Sequence, residues 1–147
     1  MLRINKQKMK YSLQGKRIEV YERDQDGNIK FYESDSGEKI PLIKKEVVGF
    51  SEPTIFYANI SNKLSEVLAK QFGIDDSTNY AQIITDKGAL PIKAGDLIWK
   101  KSDVKYDEDG IVDSTSADYT VMGVADEGLT VDLFLIKRNV IDSGQVS

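Results

Sequence analysis

The chain has 147 residues, 40% apolar and 30% charged, with 20 basic against 24 acidic side chains for a net charge of −4. That is one domain's length with material for a core, and no apolar run approaches the ~20 residues of a membrane span. Cysteine and histidine are both absent, which excludes disulfides, thiolate chemistry, serine–histidine dyads and nearly every zinc or iron site, while the acidic balance argues against broad DNA binding.

The first segment, 1–16, is a basic N-terminal arm: with Arg17 it carries Arg3, Lys6, Lys8, Lys10 and Lys16 and no acid. It lacks an apolar core of secretory type, so folding in a cytoplasm is expected. The arm is read as free or lying on a sheet edge, with docking on a neighbour as the functional alternative. Arg17 to Glu22 alternates with period two, Ile29 to Glu33 is aromatic and branched, and the intervening Asp-Gly and Asn suit a turn, which predicts a β-hairpin. Ile40 to Lys44 is a short strand whose Pro41 suits an edge; Glu46 to Ser51 is a link, and Pro53 to Ile60 a further strand.

Ser61 is placed to cap one helix, with Leu64, Val67, Leu68 and Phe72 on its apolar face and Gly73 at its end. Strands follow at Tyr80–Thr85 and Asp96–Lys100. The segment 101–117 is a long polar, acidic loop, of the kind that usually has a task or is mobile. A closing hairpin runs through Tyr119–Ala125 and Leu129–Lys137, and 139–147 reads as a tail. The expected fold is mainly β: a small β-barrel or sandwich-like barrel of about seven short strands with one short α-helix and long loops, in a single domain over 1–147.

The last strand poses a question. Leu129, Val131, Leu133 and Leu135 make one apolar face, as a half-solvated strand should. The other face begins with Thr130 and Asp132 but ends in Phe134 and Ile136. Either another part of this chain or a neighbouring subunit must cover Phe134 and Ile136.

Two acidic segments invite a cation. Glu22, Asp24, Asp26, Asn28 and Glu33 fall at ligand positions of a calcium-loop pattern centred on Gly27, but the first position holds Glu and the flanks read as strands, so a surface turn is the better reading and no metal is expected. Within 103–113 of the second loop, Asp103, Asp107, Glu108, Asp109 and Asp113 face a single lysine, Lys105, and the spacing fits calcium worse. An enzyme using Asp107 and Asp109 is the least favoured reading, because no partner group splits their pKa values. Trp99 on its apolar strand reads as core before it reads as a stacking platform. No catalytic residue and no cofactor is assigned.

Several stretches in order carry a resemblance: Met9-Lys-Tyr-Ser-Leu-Gln14, Ser51-Glu-Pro with Phe56-Tyr-Ala-Asn-Ile-Ser61, Phe72-Gly-Ile-Asp75, Pro91-Ile with Leu97-Ile-Trp99, and Ala117-Asp-Tyr-Thr-Val121 before Leu135-Ile-Lys-Arg138. From about Met9 to Arg138 the chain resembles head–tail connector proteins of tailed phages of Gram-positive bacteria, which act in head completion or head closure at the neck. The resemblance implies a non-enzymatic structural protein of the virion neck, assembled in the host cytoplasm as a homo-oligomeric ring of about 12 or about 6 copies. It implies portal or adaptor proteins on one side, tail-completion or tail-tube proteins on the other, and DNA passing through the ring without sequence-specific binding and without a membrane. Phe134 and Ile136 would then be interface residues covered by a neighbouring subunit, and the loop with Asp103, Asp107, Glu108, Asp109 and Asp113 a channel or docking loop. A tail-completion or tail-terminator role is the alternative within that assembly; a free-standing calcium- or ligand-binding β module using Glu22–Glu33 is the alternative from another class.

Overall fold

The computed structural model describes residues 6–127 and 129–139. Residues 1–5, Gly128 and the segment 140–147, which hold Arg3 and nearly all of the expected tail, lie outside the described residues. In chain order the strands are β1 (Gln7–Ser12), β2 (Lys16–Tyr21), β3 (Phe31–Glu33), β4 (Lys39–Pro41), β5 (Ile43–Gly49) and β6 (Thr54–Ser61), then helix α1 (Glu66–Phe72), and β7 (Tyr80–Asp86), β8 (Leu97–Trp99), β9 (Tyr119–Ala125) and β10 (Val131–Arg138).

The protein is mainly β, with a closed six-stranded antiparallel barrel in the order β1-β6-β7-β10-β9-β8 and one short helix among the described residues. β8 returns to β1, with Lys10 opposite Trp99 and Ser12 opposite Leu97, so no edge is left open. Alternation decides what fills the barrel: Met9, Phe56, Ala58, Ala81, Ile83, Ile98, Val121, Phe134 and Ile136 point inward and pack together. Tyr11 joins them, its ring 5.6 Å from that of Phe56.

The barrel and its helix depart from expectation in three places. Residues 7–12 of the expected arm are a barrel strand, because Met9 and Tyr11 turn inward while Lys8 and Lys10 turn out; the lysines had masked a period-two pattern. The helix begins a turn later than expected. Ser65, not Ser61, is its N-cap, accepting from the Leu68 amide, and Gly73 ends it in the left-handed region at φ 65°. Ser61 is instead the last residue of β6. Phe134 and Ile136 are 2% and 0% exposed inside this chain's own barrel, so no neighbouring subunit is needed to cover them. The opposite face of β10, Leu133 and Leu135, lies under α1 with Leu68 and Ala125. Both faces are apolar because the strand sits between the barrel interior and a helix.

The contact between helix and barrel is close. A Cβ on Gly123 of β9 would stand 2.6 Å from Phe72 Cζ, so glycine is what allows Phe72 to settle there. Val67, expected on the apolar face, is exposed.

The segment 16–49 takes no part in the barrel. β2 pairs with β5 and β3 with β4, making a two-stranded ribbon with a smaller hairpin at its far end. The expected pairing of 17–22 with 29–33 is reduced to one bridge, Arg23 with Ile29. The strands part because three backbones meet at one point: Glu22 N–H donates to Leu42 O at 2.9 Å, Leu42 N–H to Lys30 O at 2.9 Å and Lys30 N–H to Glu22 O at 2.8 Å. Beyond this junction the chain turns twice, and the expected link at Glu46–Ser51 is largely strand β5.

Candidate functional site

The acidic loop and the base of the ribbon form one unit. Within 101–117, Tyr106 pairs with Val112, and a single 3-10 turn spans Ser114–Ser116. The loop is not wholly solvated: Val104, Val112 and Ala117 join Phe50 in covering Leu97 and Trp99, which point outward from β8. Trp99 is thus core, as its sequence setting indicated, and its Nε1–H donates to Ser116 Oγ at 3.1 Å. Three of the loop's five carboxylates are engaged by hydrogen bonds or an ion pair, and the other two line clefts. Asp107 Oδ1 accepts from the amides of Asp109 and Ile111 and so builds the turn. Asp113 caps the 3-10 turn through Thr115. Asp109 reaches across to the ribbon, 2.9 Å from Lys45 Nζ and 3.9 Å from Lys44 Nζ. Glu108 lines the cleft beneath, with Glu19, Tyr21 and Lys44. Asp103 borders a second, open cleft beside Lys101, Lys105 and Asp113.

Electrostatics and packing both hold this clamp. The hydrogen bond to Lys45 is the main cause that keeps the Asp109 carboxyl low, and the same bond raises Lys45. Ile111 Cγ2 and Ile18 Cδ1 each lie 3.1 Å from where a Cβ on Gly49 would stand, so the ribbon leaves the barrel through a narrow passage under the loop. Sequence reasoning saw the loop's acidity but not its counter-charge, since Lys44 and Lys45 lie more than fifty residues upstream.

Two carboxylates that sequence reasoning missed organise the barrel ends. Asp96 is fully buried and accepts from the amides of Gln14 and Lys93, each at 2.8 Å. Asp118 Oδ2 accepts from the successive amides of Lys100, Lys101 and Ser102 at 2.8, 2.8 and 3.0 Å, and Oδ1 from the Ser102 hydroxyl at 2.6 Å. Burial pushes the Asp118 carboxyl up, but these donors together outweigh it and hold the group below the usual range. Each carboxyl with a resolved shift is lowered by a donor; a general acid needs the opposite. The arrangement is suited to fixing loops.

The calcium-like segment is a turn. Asp24 Oδ1 accepts from the amides of Asp26 and Asn28, Arg23 donates to Gly27 O, and Gly27 supplies the positive φ of 85°. Glu22 lies at the three-way junction and Glu33 on β3, so the five residues are spread along the ribbon. Among the described residues no three acidic side chains gather as a cation cage.

Beyond the clamp the ribbon is bare. Phe31 and Tyr32 are each half exposed there, as is Ile43, while Val48, on the barrel side of the clamp, is 72% exposed. Their position defines the class of molecule: a self-contained small barrel that carries a β-ribbon outward. No family model, no curated protein and no solved structure matches the chain.

Proposed function

We propose that the protein is a non-enzymatic neck component of a tailed phage, a ring subunit between the portal or adaptor complex and the tail, closing the DNA-filled head and offering the tail its docking surface. The observation that carries this reading is the division of the chain. The barrel core is complete without residues 16–49, and the ribbon exposes large apolar side chains at its far end. An isolated two-stranded ribbon is marginal in water, and exposed apolar groups on a projection suit contact with another protein. The ordered resemblance over 9–138 supplies the neck as the setting. In this reading the acidic loop acts first as the clamp that aims the ribbon, and Glu108 and Asp103 remain for partner contact or for repelling DNA phosphates.

Removing the gene from the phage that carries it and imaging the lysate tests the reading. Heads that leak DNA, or full heads without tails, are the expected result; infectious particles with intact necks would overturn it.

A further inference from the structure

The barrel wall has three sectors, and only two are covered along their length. α1 and the residues around it lie over the outer face of β7, β10 and β9. The loop 101–117 lies over β8. The outer face of β1 and β6 is covered least: the loop reaches only its end, where Asp103, Val104 and Tyr106 border a cleft with Lys10, Glu52 and Ile55. Along this face the register sets Lys8 beside Tyr57 and Lys10 beside Ile55; Tyr57 is 60% and Ile55 51% exposed. Lys6, Lys8 and Lys10 give this strip three positive charges, and neither β1 nor β6 contains an acid. Glu52 and Asp103 stand only at the Ile55 end; around Tyr57 the lysines dominate, and such a surface suits an acidic, apolar partner.

The chain carries such a partner itself. Between Glu22 and Lys39 there are six carboxylates against three bases, a net of −3, and the hairpin at that end exposes Phe31 and Tyr32 on its two faces, opposite Pro41 and Ile40. The hydrogen bonds of the β3–β4 hairpin run within the ribbon. The loop's acidity is less available, since Asp109 is paired at home with Lys45.

We propose that the bare β1–β6 face receives the acidic, aromatic β3–β4 hairpin of a second copy of this chain, a head-to-tail contact repeated from copy to copy. It rests on the ring reading above and names the contact that would build the ring. Two different patches meet in it, so it is heterologous: it closes into a ring if the rotation allows and otherwise grows as a filament. Nucleic acid is the rival occupant for lysines beside a tyrosine, but phosphate would satisfy only the charges and leave the hairpin's apolar side chains uncovered.

The chain has no cysteine, so engineered thiols report the contact alone. Tyr57→Cys and Tyr32→Cys chains are prepared separately, mixed and oxidised, beside sedimentation of the unmodified protein. The expected result is a disulfide-linked dimer in the mixture and not in either variant alone. Lys8→Glu with Lys10→Glu should weaken association by about tenfold or more, and Glu33→Lys with Glu38→Lys on the other copy should restore it. Oligomers in the unmodified protein without the mixed cross-link would overturn this contact and leave the ring reading standing. A protein that stays monomeric and uncross-linked at millimolar concentration would overturn both. Cross-linking of Tyr57→Cys to itself would mean a face-to-face pair, and tight binding of labelled DNA lost with Lys8 and Lys10 would mean that nucleic acid covers the face; either result overturns the proposal.

Discussion

The β9–β10 hairpin and the β2–β5 ribbon are both antiparallel pairs rich in branched side chains, and they end in opposite environments. β10 is buried on both faces, by the barrel interior on one side and α1 on the other. β5 has Ile43 and Val48 in solvent and only one side of the ribbon under the clamping loop. Composition separates them in part, with six charged side chains on β2 and β5 against three on β9 and β10; what covers them completes the difference. β10 has two neighbours in the sheet and a helix on its back, whereas β5 has β2 and a loop. The molecule therefore keeps its stability in the barrel and holds the ribbon out as a handle.

Substitutions should divide along this line. Phe134→Ala removes a fully enclosed ring from the barrel and should cost ~3–5 kcal/mol in chemical denaturation; a cost below ~1 kcal/mol would mean that the barrel interior is not the seat of stability. Asp118→Ala leaves three aligned amides without their acceptor and should cost ~1–3 kcal/mol. Its pH signature is specific. The folded carboxyl is held below its unfolded value of ~3.9, so its contribution is present above that value and fades as pH falls through the lower folded one. Asp118→Asn should flatten that part of the acid limb, and an unchanged acid limb would count against the donors as the cause.

Gly123→Ala puts a methyl group against Phe72, which is only partly buried and can swing aside, so the cost should sit near the low end of overpacking, ~1 kcal/mol. Phe72→Ala in the same chain should remove most of that penalty. Least of all, Asp109→Ala breaks a surface ion pair and should change global stability less than any substitution above. Its main effect should be faster amide exchange in β2 and β5 with the barrel unchanged, and slowed exchange there would contradict the clamp.

Much of the barrel could be read from the residues. Strands 54–61, 80–86, 97–99, 119–125 and 131–138 follow branched or alternating runs, Gly73 marks the helix end, and Trp99 is core as its neighbours suggest. What failed to show were pairings made at a distance. The Asp-Gly turn after Arg23 is real, but β2 finds its main partner in β5, because the junction at Glu22, Lys30 and Leu42 lies outside any local pattern. β1 was hidden by its lysines. Phe134 and Ile136 looked like interface because their covering strands lie well before them in the chain. For the candidate site, the loop's carboxylates were visible and the lysines that meet them were not. The bare β1–β6 sector appears only once the barrel is closed and its two covers are in place.

The most direct test removes the handle and leaves the barrel. Tyr21 and Ile43 are register partners, so an Asn-Gly turn can replace residues 22–42 and join β2 to β5 as a short hairpin. Thermal melting and sedimentation velocity are then run on the full and shortened chains side by side. The account predicts that the two melt within a few degrees of each other, as expected for a change of at most ~0.5 kcal/mol away from the core, and that only the full chain assembles. A shortened chain that assembles as the full one does, or that melts far below it, would contradict the division between barrel and ribbon.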